Sequence, residues 1–171
     1  MDYTLMLAIP FGILSSLVAS FLFIFLIYHK SRPKLDISEH IAKCSDGGFL
    51  IKVVNRTKYP VINVKAELHR IKLQNTLGGK RKNFYEIPMK IKEILLLTKF
   101  EDTKTNERYA WVFQTREDLC QVFEEGENLL FWIVAQSAFS NATQVTEKSY
   151  YTVGCVIDGD FQYGPSFKIE H

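Results

Sequence analysis

The hydrophobic pattern divides the chain into two unlike parts. Residues 5–28 read LMLAIPFGILSSLVASFLFIFLIY, and no Lys, Arg, Asp or Glu falls between Asp2 and Lys30. As a helix rising about 1.5 Å per residue, this stretch spans about 36 Å, enough to cross ~30 Å of hydrocarbon with some tilt. A segment in lipid must satisfy its own backbone hydrogen bonds, so a single helix is the predicted element. Pro10 falls near its start, where a missing N–H costs least. Beyond Lys30 charges recur every few residues, as in a water-facing domain.

In that second part the period is two. Phe49, Ile51 and Val53 share one face of FLIKVVN, with Lys52 opposite. Ile62, Val64, Ala66 and Leu68 point one way and Asn63, Lys65, Glu67 and His69 the other, the mark of a half-buried strand. Residues 55–60 join the two as a predicted hairpin. Residues 74–83 contain Gly78-Gly79-Lys80-Arg81-Lys82 and are expected to form an exposed loop.

Short strands follow around Ile87 and Leu95, then a polar turn over 101–108 and a strand from Tyr109 to Phe113. Thr115-Arg-Glu-Asp118 has the form of a capping box before Leu119, Val122 and Phe123, which predicts a short helix ending near Gly126. Residues 129–138 form a strongly apolar strand expected at the centre of a sheet. Strands at 144–152 and 167–169 complete the pattern, with turns at Ser140-Asn141 and Asp158-Gly159-Asp160. Many short strands with one short helix and no βαβ alternation predict a mainly β fold, a β-sandwich. The predicted organisation is a transmembrane anchor over 1–30, a juxtamembrane linker over 31–48 and the sandwich over 49–171.

Charge adds orientation. Only Asp2 precedes the apolar run, whereas His29, Lys30, Arg32 and Lys34 follow it. A basic flank stays in the cytoplasm, so the N-terminus is expected outside and the domain inside. A cleaved signal peptide fits less well: the start carries no Lys or Arg, and the apolar run continues past Ser20. Lys30, Arg32, Lys34 and the triplet Lys80, Arg81 and Lys82 are candidates for contact with anionic lipid head groups; for the triplet a plain solvated loop is the blander reading. Net charge is +2 and the remaining bases are scattered, so nucleic acid is not an expected partner.

Within the apolar run Ala8, Gly12, Ser16 and Ser20 recur every four residues. Small residues at this spacing let helix backbones approach closely and let hydroxyls bond across the gap. They are a candidate packing face for a second transmembrane helix, from its own copy or a partner. Against this stands the general abundance of Gly, Ala and Ser in such helices.

The search for reactive chemistry is bare. Cys44, Cys120 and Cys155 are odd in number and show no paired spacing, which suits free thiols in a reducing compartment. His29, His40, His69 and His171 have no metal-ligand spacing. Asp158 and Asp160 flank a glycine, a composition that usually marks a turn. Asn55-Arg-Thr and Asn141-Ala-Thr match glycosylation sequons but carry no meaning in a cytoplasmic domain. No catalytic residue, metal site or cofactor is expected.

The stretch LLFWIVAQSAFSNATQVTEKSYYTVGCVIDGDFQYGPSFKIEH resembles the end of the inward-rectifier potassium-channel cytoplasmic domain, with Ser149, Tyr150, Gly164 and Phe167 at matching positions. The pairing of FLIKVVN with VINVKAELHRIKL resembles paired strands of the same immunoglobulin-like sandwich. In outline the resemblance covers residues 35–170 and extends to small single-helix bacterial membrane proteins. It implies an immunoglobulin-like fold. The channels carry two transmembrane helices and a TxGYG-like filter; this chain has one apolar run, and its Tyr163-Gly164-Pro165 lies in the soluble part. The resemblance therefore implies a sensing or assembly domain without a pore. The expected function is a membrane-anchored binding or scaffolding module without catalytic activity. The alternative is a self-assembling membrane protein that permeabilises or gates on a signal.

Overall fold

A computed structural model describes residues 3–101 and 108–171, with side chains from Pro10 onward. The polar turn expected over 101–108 lies almost wholly outside the described residues. The apolar run forms α1 (Tyr3–Lys30). Its end is tied by Ser31, whose N–H and hydroxyl both donate to the Ile27 carbonyl, at 3.0 and 2.7 Å. Pro33 then blocks further helix.

Twelve strands follow among the described residues, in two main sheets and one small hairpin. The first sheet holds β1 (Leu35–Ile37), β2 (Ile41–Lys43), β3 (Phe49–Asn55), β7 (Ala110–Thr115) and β10 (Val156–Asp158). β3 is its axis. β1 and β2 share one edge of β3, β7 takes the other, and β10 runs parallel to β2. The second sheet holds β4 (Val61–Thr76), β5 (Gly79–Ile87), β6 (Glu93–Leu97), β8 (Asn128–Ser137) and β9 (Thr143–Tyr150). β4 is its axis, with β5 and β6 on one edge, β8 on the other, and β9 beyond β8.

The inner faces of both sheets enter one core that includes Phe49, Ile51 and Val53 from β3 and Ala66, Leu68, Phe131 and Ile133 from β4 and β8. Phe113 and Phe131 meet across it with ring centroids 5.6 Å apart. The Tyr150 hydroxyl donates across the layers to the Ser38 carbonyl at 2.8 Å, and burial pushes its pKa up. A short helix, α2 (Leu119–Glu124), closes one end of the core with Leu119 and Val122. A last hairpin, β11 (Asp160–Phe161) with β12 (Ile169–Glu170), ends the chain.

Several local expectations change. Residues 55–60 do not turn a hairpin: β3 and β4 lie in different sheets, and this segment carries the chain between them. Asn55 fixes the crossing. Its amide donates to the carbonyls of Tyr59 and Thr98, at 3.0 and 2.8 Å, and its Oδ1 accepts from the Thr57 N–H. The stretch expected as a linker contributes β1 and β2, because Leu35 and Ile41 supply core side chains.

The alternation along β4 also breaks. Asn63 has φ 51°, and one extra residue between Ile62 and Lys65 makes a bulge, so Val61 rather than Ile62 joins the core. Residues 74–83, expected as a loop, are strand: β4 and β5 continue to Thr76 and Gly79 around a two-residue turn. The α2 cap is Asp118, whose Oδ1 accepts from the N–H groups of Cys120 and Gln121. Thr115 instead donates to the Pro88 carbonyl at 2.7 Å. Gly126, at φ 74°, ends the helix as the sequence pattern suggested.

Candidate functional site

The apolar face comes first because it is the largest. Pro10–Lys30 has a mean hydropathy of 2.3 over its best window, none of which is buried. Phe11, Leu14, Leu17, Phe21, Ile24 and Phe25 are all more than half exposed. A helix apolar all round and unburied in its own chain is long and apolar enough to cross a membrane. Gly12, Ser16 and Ser20 are exposed, and a Cβ added to Gly12 would meet nothing within 4 Å. Ala8 lies on the same helix, and its side chain is outside the described set. The Ser15 hydroxyl donates back to the Gly12 carbonyl at 3.0 Å.

The two sets of candidate lipid-contact bases are placed far apart. Lys30, Arg32 and Lys34 stand at the end of α1, with the Arg32 guanidinium 5.2 Å from the Tyr28 ring centre. The Lys34 carbonyl accepts from the Arg56 N–H, which ties this end to the β3–β4 crossing. β4 starts there and runs away, so its tip at Thr76 lies about 50 Å further along. Lys80, Arg81 and Lys82 sit beside that tip on β5, opposite Asn75, Gln74 and Leu73. The paired part of β8 ends opposite Ile71, so the outer turn of β4–β5 overhangs the sheet as a two-stranded ribbon. From Lys72 to Asn83 it contains no acidic residue, and Leu77 at its turn is fully exposed.

At the base of the ribbon lies a groove of about 570 Å³ lined by Arg70, Tyr85, Pro88, Asp118, Gln121 and Glu125, among others. Its charged lining is mostly acidic, since Glu86 and Glu117 also face it. Arg70 stacks over Tyr85 at 5.3 Å and lies 3.7 Å from the buried carboxylate of Glu127, which Lys72 meets at 3.1 Å. Glu86 is bonded by Lys92, and that contact holds its carboxyl below the usual range. Sequence reasoning missed this groove because its residues come from β4, β5 and α2, which no local pattern connects.

The opposite outer face, that of the first sheet, is covered in part. Lys52 projects from β3 away from the core and is buried, donating to the carbonyls of Gln162 and Ser166 at 2.6 and 2.9 Å. Arg56 donates to Asp36 at 2.9 Å and to the Pro165 carbonyl at 3.0 Å, with Phe100 and Phe167 against its guanidinium. These two cations hold the terminal segment as a strap. Of the residues behind the channel resemblance, Phe167 and Gly164 lie in the strap, while Ser149 and Tyr150 end β9. The structure does not gather the four into one site.

Among the described residues no group of three His, Cys, Asp or Glu could hold a metal ion. Cys44, Cys120 and Cys155 are free thiols, all partly buried. Burial and the Asp160 carboxylate, 2.9 Å away, push Cys44 up to about 12. His69 packs against Trp132 and Phe84, with ring centroids 5.2 and 6.4 Å away, and lies 3.7 Å from Glu67. Asn55, the first sequon residue, is fully buried and bonded, whereas Asn141 is exposed at φ 57°. No family model matches the chain, and no curated protein matches it.

Proposed function

We propose that this chain is a single-pass membrane protein whose β domain, an immunoglobulin-like sandwich on the cytoplasmic side, serves as a binding or scaffolding module rather than an enzyme. The unburied apolar helix is the observation that carries this reading. Only residues 31–34 separate its end from the first strand of the domain, which would hold the domain close under the membrane. Two facing sheets around one core, with the bases Lys30, Arg32 and Lys34 at the junction, support the fold and the orientation. The grooves and strand edges provide surface for a protein partner.

Orientation is tested by cysteine labelling in intact cells with a membrane-impermeant maleimide. Protection of a cysteine placed at Tyr163 and labelling of one placed at Asp2 would support a cytoplasmic domain. The reverse would overturn it. The second reading, self-assembly that permeabilises or gates, draws on the exposed Gly12, Ser16 and Ser20. Replacing Gly12 and Ser16 by Ile would then abolish self-association in a membrane two-hybrid assay; an undiminished signal would remove the helix face from both readings.

A further inference from the structure

The ribbon has a property that its base count hides. A two-residue turn makes Thr76 and Gly79 a hydrogen-bonded pair, and such pairs alternate along an antiparallel ladder. Gly79, Arg81, Asn83 and Tyr85 therefore spend their backbone N–H and C=O groups on β4. Lys80, Lys82, Phe84 and Glu86 point theirs outward, along the free edge of β5. Among the described residues no strand and no other backbone group pairs with that edge.

The far edge of the same sheet is guarded differently. On β9, Lys148 stands opposite the buried Phe131 and so faces the core side. An inward-pointing charge at an edge opposes the addition of another strand. On β5 the core-side charge is Arg81, which lies on the ribbon beyond the core, and Lys80, Lys82 and Glu86 share the outer face with both signs.

We propose that the free edge of β5 pairs with the same edge of a second copy of this chain, antiparallel about a two-fold at Asn83. In this register Lys80 and Glu86 of each copy face each other's counterparts, and Arg81 stands across from the Tyr85 ring. Lys82 lays its stem against Phe84. Lys80, Arg81 and Lys82 then each meet an acid or a ring, with Glu86 shared with Lys92 and Tyr85 with Arg70 of its own copy. The outward N–H and C=O groups of Lys80, Lys82, Phe84 and Glu86 are those that face the neighbour, so each finds a partner.

Sliding by two residues toward the turn sets Lys82 against itself. Sliding the other way sets Lys80 against Pro88, which has no N–H to give. The chosen register also brings each turn, with Leu77, to Pro88 and the acidic groove of the other copy.

The two-fold runs through the sheet, so the anchored ends of the copies lie at opposite extremes of the pair, about 70 Å apart by strand length. The helix face of each copy is left for a different neighbour, and this pairing stands whether or not α1 self-associates.

The test uses the full chain in mild detergent with a copper–phenanthroline oxidant. Asn83 faces its own copy at a non-hydrogen-bonded position, where α-carbons stand about 4.5 Å apart, close enough for a disulfide. Asn83→Cys should give a covalent dimer on a non-reducing gel in about tenfold greater yield than Asn75→Cys, which lies on β4 away from the edge. Adding Lys82→Pro, which removes an outward N–H and no bond within the chain, should abolish that dimer.

Lys80→Glu in the Asn83→Cys background should also abolish it, and the added Glu86→Lys with Lys92→Glu, which keeps the ion pair within the copy, should restore it. Equal cross-linking at positions 83 and 75 would overturn the pairing, as would a dimer that survives both Lys82→Pro and Lys80→Glu. A dimer by size with no cross-link at 83 would assign association to the helix and overturn the edge.

Discussion

The two sheets are built on one plan and finished in opposite ways. Each has an axial strand, β3 or β4, with two strands sharing one edge and one strand on the other. The first sheet is covered at Lys52 on its outer face, while Val112 beside it stays exposed. Lys52 is buried there because the terminal strap offers it carbonyls, and the strap is ordered because Lys52 and Arg56 hold it. The second sheet is open. Phe84 and Trp132 lie on its outer face with His69, and the indole N–H of Trp132 is buried without a hydrogen-bond partner among the described residues. A buried polar group stabilises only where its bonds are made. The first sheet should therefore be sensitive to polar substitution and the second tolerant of it.

The comparison can be broken most severely where the two layers meet. Phe131→Ala would remove the ring that faces Phe113 and should cost about 4 kcal/mol, read as a lowered urea midpoint in detergent. On the covered face, Lys52→Met keeps the stem and strands the carbonyls of Gln162 and Ser166. A loss of about 2 to 3 kcal/mol is expected, with faster proteolysis of the terminal strap as a second readout. Loss of stability without faster cleavage there would detach Lys52 from the strap.

Between these faces lies Asn55. Asn55→Ala should cost about 2 kcal/mol, because the Thr98 carbonyl loses its side-chain donor and the Thr57 N–H its acceptor. On the open face, Trp132→Phe should cost less than about 1 kcal/mol, since no bond of the indole is lost. A large loss would show that its N–H is satisfied after all.

Cys44 supplies a chemical contrast of the same kind. Its pKa of about 12 means that at pH 8 its thiolate fraction lies about a thousandfold below that of a model thiol of pKa 9.0. Alkylation by iodoacetamide should be correspondingly slow in the folded chain and should recover on unfolding. The raised value also sets a sign. Stability from the protonated thiol is complete below pH 9 and is lost as pH rises toward 12. Asp160→Asn should speed the alkylation.

Much of this fold was legible in period and punctuation. The apolar run, the strands at Phe49–Asn55 and Asn128–Ser137, and the short helix before Gly126 follow from local patterns. What the pattern misplaced has a common cause. Whether residues 55–60 turn back or cross over depends on the bonds Asn55 makes with Tyr59 and Thr98, and Thr98 is distant in sequence. The glycines and bases at 78–82 read as a loop, since a ribbon beyond the core has no apolar alternation to announce it. The bulge at Asn63 reversed the apparent facing of Val61 and Ile62.

Of the candidate contacts, the helix face was visible in spacing alone. The separation of Lys30, Arg32 and Lys34 from Lys80, Arg81 and Lys82 depends on the direction of β4, which spacing does not contain.

The parallel pairing of β2 with β10 has a consequence for how the protein is made. Ile41 emerges from the ribosome well before its partner Val156. The first sheet cannot be completed, nor Lys52 covered, until the segment from Val156 to Ser166 has been made. By then the apolar helix has long been available for insertion. On the single-pass reading proposed above, attachment precedes folding, and a chain halted before residue 156 would have an open sheet edge. Such long-separation contacts also slow folding, so the half-closed chain is the form that quality control would meet first.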